Sequence, residues 1–188
     1  MPMSHRIAKW TLAELHRLPD DGHKYELVHG ELFVTPAPTV RHEALANGLA
    51  RLLDRYVEAQ HLGFVWRSRS VVRIGRSEVE PDLWVAPGPT RLQKSWAKLP
   101  RPILVVEILS DSTRRRDHVQ KRTFYLDQGV PAYWIVDGED RTICSARRGE
   151  DDVVTNERLV WEPAGASEPL VIDVRAFFRG ALGVDAIG

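Results

Sequence analysis

The apolar positions change period several times along the chain. Leu12, Leu15 and Leu18 keep a helical spacing that stops at Pro19, and Thr11 with Glu14 has the spacing of a capping box. Tyr25–Val28 and Glu31–Val34 are two short runs around His29-Gly30, which predicts a hairpin ended by Pro36 and Pro38. From Val40 to about Gln60, Leu45, Leu49, Leu52, Leu53 and Tyr56 recur at helical intervals with polar residues between them. Phe64–Trp66, Val71–Ile74 and Asp82–Val85 read as strands, and a loop follows at Pro87–Pro89. Ile103–Leu109 is apolar without alternation, so both its faces should be covered and it should be a central strand. Ser110–Thr113 offers helix caps, Arg114–Gln128 reads as a helix stopped by Gly129, and Val130–Val136 is the next strand. The remainder alternates weakly and closes with a short helix near Val174–Phe178. Strand, helix, strand in the middle favours a mixed α/β sheet.

Composition narrows the class. The 188 residues suit one domain with one sizeable core. Lys plus Arg and Asp plus Glu each number 26, so any nucleic-acid binding must rest on a local patch and not on net charge. A single cysteine, Cys144, permits neither an internal disulfide nor a cysteine-based zinc site, and a reducing compartment is the default. Met1–Trp10 is polar, and the run Ile103–Leu109 is too short to span a bilayer, which predicts a soluble cytoplasmic protein with no membrane partner.

The candidate chemistry centres on Glu107, a carboxylate inside that apolar strand. Burying it costs several kcal/mol unless it is paired, hydrogen-bonded or bound to metal. Strand alternation puts Val105, Glu107 and Leu109 on one face. Asp82 follows Pro81 at the start of an apolar strand; it is either a turn acid or a second ligand for a divalent cation shared with Glu107. Lys121 lies one helical turn after Asp117, either as a surface pair or leaning toward the carboxylates. Arg114, Arg115 and Arg116 sit at the start of the same helix, where cations oppose the dipole; this marks either a solvated run or an anionic partner. Glu31 opens the second hairpin strand and His42 lies in the first turn of the long helix; each is also read as a solvated group. No His-Glu-x-x-His, Gly-x-Ser-x-Gly, P-loop or dinucleotide motif occurs.

These residues carry a resemblance. Tyr25–Leu32, Pro36-Ala37-Pro38, His42, Pro81-Asp82-Leu83, Val105–Ser110 with Ser112-Thr113 and Asp117, Lys121, Tyr125, and Gly129–Asp137 together resemble the Uma-two family of restriction-endonuclease-like proteins. That family is similar to the PD-(D/E)XK nuclease superfamily. The resemblance runs from about Tyr25 to Asp137 and rests on order and spacing. It implies a mixed sheet flanked by helices, with an N-terminal hairpin and a single domain over residues 1–188. It implies Asp82 as the first acid and Glu107 as the second. The superfamily's lysine position, two residues after the second acid, holds Leu109; the family's lysine on the following helix matches Lys121. Glu31 matches a further family acid that completes the metal site, and His42 matches a family histidine with no assigned role.

The implied function is a Mg²⁺-dependent endonuclease, with Mn²⁺ as a substitute, hydrolysing DNA. Asp82, Glu107 and Glu31 would hold the metal, Lys121 would complete the catalytic set, and His42 and Arg114–Arg116 would face substrate. Double-strand cleavage by a one-site protein adds the expectation of a homodimer. Two other readings stay open: a catalytically inactive nuclease-fold module that binds nucleic acid or protein, and a structural ion-pair cluster.

Overall fold

The computed structural model describes residues 9–110 and 114–183. The short helix α1 (Leu12–Leu15) carries the expected box, with the Thr11 hydroxyl accepting from the Glu14 N–H and the Glu14 carboxylate accepting from the Thr11 N–H. Strands β1 (Lys24–Val28) and β2 (Glu31–Thr35) form the hairpin. His29 and Gly30 both have positive φ (52° and 87°), as a two-residue turn that follows the strand twist requires. The long helix α2 (Val40–Ala59) starts at Thr39, whose side chain accepts from the His42 N–H. Leu45, Leu49, Leu53 and Val57 are its buried stripe.

Strands β3 (Gly63–Arg67), β4 (Val72–Ile74), β5 (Ser77–Val79), β6 (Leu83–Pro87) and β7 (Leu104–Ile108) follow. A widened π-helical turn at Arg116–Lys121 runs into α3 (Arg122–Asp127), then into β8 (Tyr133–Asp137). The chain ends with β9 (Thr142–Ala146), β10 (Val153–Thr155), the ribbon β11 (Arg158–Trp161) and β12 (Leu170–Asp173), and α4 (Val174–Leu182).

The larger sheet has order β10-β9-β8-β7-β6-β3, with β7 and β8 parallel and its other pairs antiparallel. β7 is therefore central and wholly buried, as its unbroken apolar run predicts. Its Leu104, Val106 and Ile108 face the core built with α2 and α4, where Leu45, Leu49, Leu53 and Phe177 pack. Its other face, with Val105 and Glu107, meets a second, four-stranded sheet of order β2-β1-β5-β4 and helix α3.

Three features depart from the sequence reading. β5 (Ser-Glu-Val) was not expected, because it is too short and polar to show an apolar period, yet it is wholly buried. The helix after β7 is π-widened where it carries Asp117 and Lys121. The weakly alternating C-terminal part resolves into four strands before α4. Of the helix caps expected at Ser110–Thr113, residues 111–113 lie outside the described residues.

Candidate active site

The second sheet lies over the strand face that carries Glu107, and this determines which charges meet. On β1, alternation turns Lys24, Glu26 and Val28 to one side. Lys24 and Glu26 line a cavity of about 250 Å³ together with Asp82, Glu107, Asp117 and Lys121. Its mouth is formed by residues 35–39, His42, Ser68, Ser110 and Arg116.

Two buried lysines organise the acids. The Lys121 ammonium donates to Glu107 Oε1 and to Glu26 Oε1, each at 2.8 Å, and lies 3.9 Å from Asp117 Oδ1. Lys121 is 1% exposed, so this is no surface i,i+4 pair; the long stem crosses from the widened turn to β7 and β1. Lys24 donates to Asp82 Oδ1 at 2.6 Å. Asp82 Oδ2 accepts the Ile108 N–H at 2.8 Å and lies 3.0 Å from His42 Nε2. Glu26 Oε1 also accepts the Glu80 N–H at 2.9 Å, while its buried Oε2 has no hydrogen-bond partner. The Tyr125 hydroxyl approaches Glu107 Oε1 at 3.4 Å.

The electrostatics separate the acids. Burial, reinforced by Asp82, Asp117 and Glu26, pushes the Glu107 carboxyl up to about 8, and Lys121 only partly opposes this. Burial acts the same way on Asp82, but Lys24 and His42 outweigh it and hold Asp82 well below the usual carboxylate range. Glu26 is likewise lowered, since Lys121 and Lys24 outweigh its burial. Burial would lower Lys121, yet Glu107, Glu26 and Asp117 raise it. His42 is raised because Asp82 outweighs its desolvation. One cavity thus holds a carboxylate kept ionised and a carboxyl that retains its proton near neutrality, an arrangement typical of functional sites.

The structure brings together Asp82, Glu107, Lys121, His42 and Arg116. It does not bring Glu31 to them. Val28 faces Glu31 across the hairpin and Lys24 faces Thr35, so Glu31 shares the cavity's face of the sheet but stands at the wrong end of it. It lies four positions from Thr35, roughly 13 Å along the strand. It is exposed there, with Gln120 Nε2 at 3.4 Å. The acid beside Lys121 is instead Glu26. Lys24 and Glu26 escaped the sequence reading; the signal was an i,i+2 charge pair entering a strand otherwise apolar on that face. Of the three arginines, Arg114 pairs with Asp137, Arg115 is exposed, and Arg116 lies over the Phe33 ring (5.3 Å) while donating to Thr35 Oγ1 at 2.7 Å. Among the described residues, no three His, Cys, Asp or Glu side chains are grouped as a cage for a metal ion. None of the helices is long and apolar enough to cross a membrane, among those same residues.

Comparison with known proteins finds a family model, Uma2, described as "Putative restriction endonuclease", that matches residues 12–175. Among solved structures, the chain is similar to "a putative nuclease belonging to DUF820" from Anabaena variabilis ATCC 29413. The TM-score is 0.74 at 22% identity, over 91% of this chain and 98% of that one, a likeness that shows the fold. No curated protein matches the chain.

Proposed function

The chain belongs to the Uma2 family, and from that premise we propose that it is a metal-dependent endonuclease hydrolysing DNA phosphodiester bonds in the cavity beneath β1. The observation that carries this reading is the buried lysine, Lys121, set between Glu107 and Glu26 in the cavity that also holds Asp82. A purely structural pair has no need of four acids facing one solvent-accessible space.

The donor set fits a divalent cation of the Mg²⁺ or Mn²⁺ kind. Glu107 is a buried carboxyl whose ionised form lacks full compensation, and Glu26 has an orphaned oxygen. Mg²⁺ commonly takes one or two carboxylates and keeps several waters, so a three-residue cage is not required. Asp82 and Glu107 would hold it. When bound, it supplies polarisation of the phosphoryl oxygen and stabilisation of the leaving oxygen.

The chain's own residues supply the remainder. Lys121 holds an attacking water near Glu107 and offsets the charge it develops. Glu26 also accepts from the Lys121 ammonium and helps to fix it. Lys24 and His42 keep Asp82 ionised and oriented. Arg116, held against Phe33 at the mouth, presents a cation to an incoming phosphate. Cutting both strands of a duplex with one such site calls for two copies, so a homodimer on DNA is part of the proposal.

Supercoiled-plasmid nicking with Mg²⁺ or Mn²⁺ tests this reading. Wild type should nick, and Asp82→Ala and Glu107→Ala should not; equal cleavage by all three would sink it. One observation favours a second reading, a catalytically inactive module that binds nucleic acid or protein: both Asp82 oxygens already have partners, namely Lys24, His42 and the Ile108 N–H. Calorimetric titration with Mn²⁺ separates the two, since the inactive module predicts no binding heat.

A further inference from the structure

The segment 88–102 joins the end of β6 to the start of β7, the ends of these strands remote from Asp82 and Glu107. It carries Arg91, Lys94, Lys98 and Arg101 and no acid, leaving 22 cations against 26 acids elsewhere in the chain. The four cations are exposed, and among the described residues none of them makes an ion pair; Arg91 lies over the Phe64 ring at 5.3 Å.

The segment is anchored, not loose. Trp96 packs edge-on against Trp66 (4.9 Å between centroids), Thr90 is buried, and Leu99 packs against the core. A 3-10 turn at Trp96–Lys98 stiffens it. Trp96, Thr90 and Leu99 hold it down, while Leu92 and the four cations are exposed. A connection this long whose regular structure is one 3-10 turn is uncommon in a compact fold unless it has a function.

Register fixes where it lies. Trp66 faces Trp84, and Trp84 faces Val105, forming one row across the large sheet. Asp82 and Glu107 belong to the next row on the same face. One row is about 7 Å, and one and two strand spacings are about 5 Å and about 10 Å, so Trp66 stands on the order of 9 Å from Asp82 and on the order of 12 Å from Glu107. Trp96 sits just beyond it, at the edge where β3 and β4 end their sheets. At about 3.4 Å of rise per nucleotide, that is about five nucleotides from the cavity.

We infer that the 88–102 strap is a phosphate-binding surface for duplex DNA, gripping the backbone at a distance from the cavity through Arg91, Lys94, Lys98 and Arg101. The inference rests on the nuclease reading for its choice of partner. It accounts for how a chain of zero net charge engages a polyanion: one local patch supplies what the whole does not.

The test is metal-free binding of a fluorescent 20-base-pair duplex, by anisotropy in EDTA, over a range of KCl. The variant Arg91→Ala/Lys94→Ala/Lys98→Ala/Arg101→Ala should weaken binding at least about tenfold near 0.1 M salt and flatten the log K against log salt slope by about 3 to 4, since each phosphate contact contributes about 0.9. A control on the C-terminal elements, Arg158→Ala/Arg179→Ala, should keep the wild-type slope, and thermal melts should coincide. A quadruple variant with the wild-type slope, a control that loses as much, or a wild type that binds no duplex overturns the inference. Chelation keeps the two readings apart. DNA that is bound with the expected slope but never cut on adding metal removes the nuclease and keeps the strap; cutting with an unchanged slope does the reverse.

Discussion

Replacing Glu107 with Gln should stabilise the metal-free protein, and the sign distinguishes a metal site from a structural ion pair. The Glu107 carboxyl moves from an ordinary value of 4.5 to about 8 on folding. Between those values the folded chain keeps a proton that the unfolded chain has lost, so stability falls as pH rises. The contribution is complete below about pH 4.5 and is lost as pH passes about 8. At about 1.4 kcal/mol per unit, the loss is about 5 kcal/mol across the window and about 3 kcal/mol by pH 7. Glutamine approximates the neutral acid and does not titrate. Its removal of charge leaves no orphan, because Lys121 retains Glu26 at 2.8 Å and Asp117 at 3.9 Å. Urea unfolding of both proteins in chelator from pH 5 to pH 9 gives the difference at each pH and cancels the other titrating groups, His42 among them. The variant should be the more stable by a few kcal/mol at pH 7, and its advantage should widen up to about pH 8. A variant less stable by roughly 3–5 kcal/mol at pH 7 is the signature of a broken buried pair and would refute the reasoning.

Further outcomes follow from the same geometry. Glu31→Ala should leave plasmid nicking within about twofold of wild type, because the side chain is exposed at the hairpin end, whereas Glu26→Gln should slow it at least about tenfold by loosening Lys121; equal effects would place the third acid wrongly. Lys121→Ala should lose cleavage and also roughly 3–5 kcal/mol in urea unfolding, since it strands Glu26 and Glu107. Mn²⁺ affinity measured by calorimetry should rise about tenfold per pH unit toward about pH 8 and then level, because the metal displaces the Glu107 proton; a flat profile contradicts that exchange.

How much of this was legible in the sequence depended on whether a feature lay within one element or between two. The unbroken apolar run around Glu107 identified both the central strand and its anomalous acid, because covering both faces of a strand leaves that mark. The stripe of α2 and the His29-Gly30 turn were legible for the same local reason. Glu26 and Lys24 were not, since their importance comes from a second sheet laid over the first, and no period within β1 announces that. Glu31 was assigned by position in a motif; the register of the hairpin puts it on the right face at the wrong end. The spacing of Lys121 to Asp117 leaves two readings open, because an i,i+4 pair looks the same on a surface as in a core. The π-widened turn that buries both left no hydrophobic signature.

The most direct test of the metal-site claim is anomalous diffraction from crystals soaked in Mn²⁺. The account predicts one peak about 2 Å from carboxylate oxygens of both Asp82 and Glu107, with the Lys24 or Lys121 ammonium drawn back from the oxygens it now holds. Crystals with no peak there, and both lysines still seated on Asp82 and Glu107, would contradict it.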